Sequence, residues 1–176
     1  MRLPRLSIYL CTAALCLLPG AAFADRAKVA LPQTGSLTVS CVIDAAKSSG
    51  LPLAALIGIL ATESGRTGEA LRNDNGTWDM GPFQINTTHV NELAAMGIAP
   101  ETVMCNGCVN AYAAAWVLRR EYDRTGDIWQ AIGSYHSRTP HRRDAYIAKV
   151  KAHLAKLSRG GVYTLPALAP DREDGQ

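Results

Sequence analysis

Between residues 37 and 159 the apolar positions recur at helical rather than strand spacing. In 37–47, Val39, Val42, Ile43 and Ala46 lie three or four apart, and Gly50 closes the segment. Pro52 suits the first position of a helix running to about Ser64, with Leu53, Leu56, Ile57 and Leu60 on its apolar face. The continuous apolar run 51–61 is too short to cross a bilayer and reads as a core helix. Gly65 and Gly68 bracket a loop, and Asn75-Gly76 between Leu71 and Trp78 predicts a hairpin. Thr87 or Thr88 caps a helix to Met96, which Gly97 ends. Residues 106–124 carry Val109, Tyr112, Ala113 and Trp116 on one face. Asp127 opens a short helix with Ile128, Ala131, Ile132 and Tyr135, and Pro140 opens the last, with the stripe Tyr146, Ile147, Val150, Leu154 and Leu157. No internal repeats occur. The pattern predicts a mainly α domain with one β-hairpin beside its second helix.

The two ends of the chain read differently. Arg2 and Arg5 precede a mostly apolar stretch, Pro19-Gly20 breaks it, and Ala22-Phe23-Ala24 offers small residues where a signal peptidase reads. Residues 1–24 are therefore expected to be a cleaved export signal, with a retained anchor as the alternative. Residues 25–36 read as a leader, 37–159 as the domain, and 160–176 as a Pro- and Asp-rich disordered tail. A makeup 48% hydrophobic and 19% charged is that of a globular protein, and a net charge of +3 does not by itself imply nucleic acid. Cys11 and Cys16 fall inside the signal, leaving Cys41, Cys105 and Cys108. The Cys105-to-Cys108 spacing lacks the partners that zinc or redox work requires, so a structural bridge from Cys41 to one of the two is expected. His89, His136, His141 and His153 show no ligand motif, and neither metal nor cofactor is expected.

Glu63 is the residue that calls for explanation. It sits at the edge of an apolar helix face and near the helix carboxyl end. Desolvation and the helix dipole both raise a carboxyl pKa, as a general acid working near neutrality requires. A surface glutamate at a frayed end is the bland alternative. Downstream, the hairpin runs into Gly81, which permits close approach, and into Gln84 and Asn86, whose amides suit hydroxyl and acetamido groups. Polar amides beside aromatic rings fit a carbohydrate groove, though a decorated surface hairpin has the same composition.

Glu63-Ser64, the hairpin 73–77, and Asp79-Met80-Gly81-Pro82-Phe83-Gln84-Ile85-Asn86 together resemble the lysozyme-like lytic transglycosylases. The resemblance is greatest to the small specialised ones that accompany conjugation, type IV and type III secretion machines. Cys108-Val109-Asn110, Ala115-Trp116-Val117-Leu118 and Gly133-Ser134-Tyr135-His136 continue it, so that it spans about 41–150. It implies a lysozyme-like, mainly α (α+β) fold and cleavage between N-acetylmuramic acid and N-acetylglucosamine of peptidoglycan. Glu63 would be acid and then base, with the muramic acid's own C6 hydroxyl closing a 1,6-anhydro ring. Ser64, Gln84, Asn86 and Tyr135 are implied as supporting or sugar-contacting groups, and the pairing Cys41–Cys108 is favoured, leaving Cys105 unpartnered. The chain departs from the family at Pro82-Phe83, where Leu-Met is common, and at His136, where an asparagine is expected. It also lacks a nearby aromatic two places after Glu63-Ser64, at Arg66.

Asp79 occupies the place where animal-type lysozymes keep a second carboxylate, which leaves a hydrolytic muramidase using Glu63 and Asp79 as the alternative reading. A non-catalytic peptidoglycan-binding assembly factor is the third, disfavoured by the intact Glu63. Around the last helix Arg138, Arg142, Arg143, Lys149, Lys151, Lys156 and Arg159 face only Asp144. Such a run is usually a solvated face; otherwise it meets peptidoglycan stems or glycan, a membrane surface, or a secretion-machine partner. The expected setting is the periplasm, with glycan strands as substrate, no nucleic acid and no membrane span once the signal is cleaved.

Overall fold

Seven helices pack around a four-stranded antiparallel sheet in the computed structural model, which describes residues 27–160. The expected signal peptide, the start of the leader and the tail from 161 lie outside the described residues. Helix α1 spans Val39–Ser48 and buries Val42, Ala45 and Ala46; the Thr38 hydroxyl caps it by accepting from the Cys41 amide at 3.2 Å. Helix α2, Leu53–Glu63, starts one place later than expected, because Pro52 is extended at the N-cap. Its buried face carries Ala55, Leu56 and Ile59.

The sheet runs in the order β1 (Lys28–Ala30), β2 (Glu69–Arg72), β3 (Trp78–Met80) and β4 (Ile85–Asn86). Ala70 pairs with Met80 and Asp79 with Asn86. The hairpin stands where Asn75-Gly76 predicted it, but its loop is 73–77 rather than two residues. The Asn73 amide donates to the Thr77 carbonyl at 2.7 Å, and Gly76 takes φ +84°. The leader stretch holds an edge strand that its lack of periodicity concealed. Beyond β1 it stays attached, with Leu31 donating to Gly68 O and Thr34 to Cys105 O.

Asn86, not Thr87 or Thr88, caps the next turn: its side-chain oxygen accepts from the Thr88 amide ahead of a 3-10 turn at Thr87–His89 and helix α3, Val90–Ala95. Helix α4, Pro100–Cys105, was not foreseen. Helix α5, Gly107–Thr125, is capped by Asn106; α6, Ile128–His136, by Asp127; and α7 spans Pro140–Arg159. The bridge joins Cys41 to Cys108, tying α1 to the start of α5 with Cα atoms 5.1 Å apart, and Cys105 is buried and free. Among the described residues no helix is long and apolar enough to cross a membrane.

The core is filled by Leu56, Ile59, Phe83, Ile85, Leu93 and Leu118, all essentially inaccessible. Of the buried polar side chains Asn110, Glu121 and Ser134, the first is fully inaccessible. Asn110 on α5 accepts from the Phe83 amide at 2.8 Å and donates to Met80 O at 2.9 Å and Val103 O at 3.0 Å. It thereby fastens both the turn after β3 and the end of α4 to α5. Gly81 sits at φ +69° against this amide, where a Cβ would lie 2.5 Å from Asn110 Nδ2. The close approach that Gly81 permits is therefore to Asn110. Replacing Asn110 by Ala orphans three buried groups and is expected to cost about 3 kcal/mol in a denaturant titration. A loss below about 1 kcal/mol would contradict this assignment.

Candidate active site

Helix α2 ends on the acid, and the following residues fix where that end lies. Ser64 takes the left-handed conformation (φ 52°) and returns its hydroxyl to Ala61 O at 2.9 Å. Gly65 then donates its amide to Pro82 O at 3.1 Å. A Cβ at Gly65 would lie 2.2 Å from the Gly81 carbonyl oxygen and 2.4 Å from Gln84 Nε2. The helix end and the turn 81–84 are thus in backbone contact, and Glu63 is set against the sheet by two rigid pieces. From the other side, Gly58 lets α2 approach α7, since a Cβ there would stand 2.7 Å from Val150 Cγ1. One turn before Val150 on the same face is Tyr146, whose hydroxyl donates to Glu63 Oε1 at 2.5 Å.

These contacts remove most of Glu63 from water. Burial raises its pKa from 4.5 to about 7; the nearby Asp79 adds to the rise, while the Tyr146 hydrogen bond and the Lys149 ammonium oppose it. The carboxyl is therefore poised to hold or release a proton near neutrality, as general acid–base work needs. Tyr146 keeps its own proton, because burial and the adjacent Glu63 carboxylate both disfavour the phenolate.

A folded-state value above the unfolded one means that the folded protein binds the extra proton between pH 4.5 and about 7. Stability from this group is complete below about 4.5 and is lost as pH rises through about 7. Glu63→Gln removes the charge and still offers an oxygen to Tyr146. The variant is expected to be more stable than the parent at pH 8, by on the order of 2–3 kcal/mol. The two should converge toward pH 4 in thermal melts, and a gap that widens on acidification would contradict the burial assigned to this carboxyl.

The cleft in front of Glu63 has a volume of about 600 Å³, and it gathers Asp79, Gln84, Asn86, Tyr135 and His136 around the acid. Ser64 is the exception among the expected site residues: it caps the helix, exposed, with its hydroxyl turned to Ala61. Asp79 accepts from Asn73 Nδ2 on one oxygen at 2.8 Å and from Asn86 Nδ2 on the other at 2.7 Å. Asn86 is thus engaged at both ends, donating to Asp79 and Thr77 and accepting from Thr88. Gln84, at φ 52°, donates to Gly81 O at 2.8 Å, while its oxygen accepts from none of the described residues.

Tyr135 donates to Phe83 O at 2.8 Å and so ties α6 to the same turn. Pro82 and Phe83 are buried, with Phe83 fully inaccessible, so this departure from the family pattern is absorbed by the core. The His136 ring stacks on Tyr146, with centroids 4.7 Å apart and planes 3° from parallel. Burial first, then Lys149, lowers its pKa, which favours the neutral imidazole. No group of three His, Cys, Asp or Glu side chains suited to a metal occurs among the described residues. Sequence reasoning missed Tyr146 and Asn73 as parts of this site. A tyrosine in an otherwise aliphatic stripe was the available signal, since a buried phenol needs a partner for its hydroxyl.

Comparison with known proteins adds an independent finding. The family model described as Transglycosylase SLT domain matches residues 40–155. The chain is 36% identical over 93 residues to an X polypeptide of Escherichia coli, covering 49% of this chain and 55% of that one. It is 30% identical over 122 residues to invasion protein IagB of Salmonella typhimurium, covering 66% and 76%. To protein IpgF of Shigella flexneri it is 31% identical over 104 residues, covering 58% and 68%. The match spans about half the length of the X polypeptides.

Proposed function

The chain belongs to the transglycosylase SLT domain family, and on that premise we propose that it is an exported peptidoglycan lytic transglycosylase acting from the periplasm. The observation that carries the reading is Glu63: one partly buried carboxyl, titrating near neutrality, aimed into a polar cleft of sugar-binding size. In its protonated form Glu63 donates to the glycosidic oxygen between N-acetylmuramic acid and N-acetylglucosamine. The C1–O bond breaks, and positive charge develops at C1 and the ring oxygen. The Glu63 carboxylate then takes the proton of the muramic acid C6 hydroxyl, whose oxygen bonds to C1. The acid is regenerated, the product carries a 1,6-anhydro ring, and no water is consumed.

Asp79 has a supporting part in this scheme. Both of its oxygens accept from amides of the hairpin, which holds the carboxylate in place and lessens its power as a nucleophile. It serves as a fixed negative charge facing the cationic transition state. A muramidase would instead require Asp79 to attack C1 or to direct water there.

The Cys41–Cys108 bridge suits an oxidising compartment, in line with export through a signal cleaved before Asp25. The likeness to a protein named for invasion supports a role in local opening of the wall for an envelope-spanning secretion or conjugation apparatus. Purified sacculi treated with the mature protein should release muropeptides lighter by one water than their reducing-end counterparts. Reducing ends would transfer the reading to the muramidase. Binding to sacculi without release, at every pH between 5 and 8, would favour an assembly factor.

A further inference from the structure

The basic residues around α7 are not equivalent once their surroundings are known. Arg138 donates to Glu121 at 2.6 Å and Arg143 to Asp144 at 2.8 Å. The Lys151 ammonium lies over the Trp129 ring, 4.5 Å from its centroid. Arg142 and Lys149 form no ion pair with the described residues, and both line one cavity of about 290 Å³ with His136, Ala145 and Tyr146. His136 also borders the catalytic cleft, so the two spaces adjoin. Tyr146 forms the wall between them: its ring stacks on His136 and its hydroxyl reaches Glu63. One tyrosine side chain therefore separates the acid from a pocket holding two uncompensated cations. The influence of Lys149 on both Glu63 and His136 agrees with that placement.

We propose that this cavity is the subsite for the peptide substituent of the muramic acid at the scissile bond, with Arg142 and Lys149 receiving its carboxylates. The inference rests on the peptidoglycan reading above. Muramic acid carries its lactyl-peptide on C3, two carbons from the C1 that Glu63 acts upon, so a sugar seated for cleavage brings that substituent close to the acid. In intact strands the lactyl carboxyl is amide-bonded to the stem, so the sugar backbone is neutral and the stem peptide supplies the anionic groups. Lys156 and Arg159 likewise form no ion pair with the described residues but line neither space, whereas Arg142 and Lys149 stand beside the cleft, a placement that suits an anionic substituent better than a neutral sugar face. His136 then stands at the junction, where it can meet both the sugar and the start of the peptide.

The test compares glycan strands bearing stem peptides with the same strands stripped by an amidase and capped as methylamides at the lactyl carboxyls that hydrolysis frees. The mature wild-type protein should prefer the peptide-bearing strands in kcat/KM by roughly tenfold at low salt, and less as salt is raised. In the double variant R142Q/K149Q the ratio should fall to near one, with the change in KM. The double variant K156Q/R159Q, farther along the same helix, should keep the wild-type ratio. Equal cleavage of both strands by the wild type, or a preference that survives R142Q/K149Q, would overturn the proposal. Failure to cut either strand would instead remove the peptidoglycan reading, and this inference with it.

Discussion

Glu63→Gln is expected to lower the rate of glycan cleavage roughly a thousandfold, with sacculus binding retained. The substitution keeps the size of the side chain and an oxygen for the Tyr146 hydroxyl, now at 2.5 Å. What it removes is the proton. Every other group at the acid is poorly suited to supply one: Asp79 has both oxygens occupied by hairpin amides, and the Tyr146 phenol is held protonated by its burial. In the proposed reaction the same carboxyl takes the proton of the C6 hydroxyl in the second half, so no later step bypasses the loss. Muropeptide release measured beside sacculus pelleting separates chemistry from binding. A variant retaining more than a tenth of the parental rate would place the acid elsewhere. Since this variant is also expected to be the more stable protein above neutrality, the loss would not be attributable to unfolding.

The second large effect concerns the bridge. Cys41 and Cys108 close a loop of sequence separation 67. In the chain-entropy view, cross-linking a loop of that length disfavours the unfolded state by about 4 kcal/mol. Helices α1 and α5 also pack on each other directly, but that packing acts in the folded state and does not replace a constraint on the unfolded chain. The paired substitution Cys41→Ala/Cys108→Ala is expected to lower stability by about 4 kcal/mol under oxidising conditions. Changing both cysteines avoids leaving a reactive thiol. Equilibrium unfolding with and without reductant checks it: the parent should fall to the level of the variant when reduced, and the variant should not respond. A loss under about 1 kcal/mol would mean that the unfolded chain is already restricted without the bridge.

Much of the architecture was legible because the long helices advertise themselves. The apolar face of α2 fixed the side of the helix on which Glu63 emerges, and the stripe of α7 correctly placed Tyr146, Val150 and Leu154 inside. The short elements were not legible. Helix α4 offers six residues, too few for a helical period to repeat, and β1 is a three-residue edge strand whose side chains are all exposed. The cap at Asn86 was misplaced by one or two residues because Thr87 and Thr88 have equally suitable oxygens.

Within the site, sequence spacing found the residues that line the cleft but not what holds them. Tyr146 meets Glu63 across 83 positions and Tyr135 meets the Phe83 carbonyl across 52, separations that no local pattern encodes. Asn110 stood in a recognisable helix, yet its role as the buried fastener of the turn 81–84 depends on three backbone groups from two other elements. Ser64 is the converse case. Its place in the Glu-Ser pair suggested a supporting or sugar-contacting group, and its backbone geometry makes it the residue that ends α2 directly after the acid.

In the proposed reaction one carboxyl runs both halves, and the nucleophile comes from the substrate, not from water. Digestion of sacculi in water enriched in heavy oxygen, followed by mass analysis of the released muropeptides, tests it most directly. Anhydro-ended products with no heavy oxygen at C1 are expected. Products carrying one heavy oxygen on a reducing end would show water as the attacking group and would contradict it.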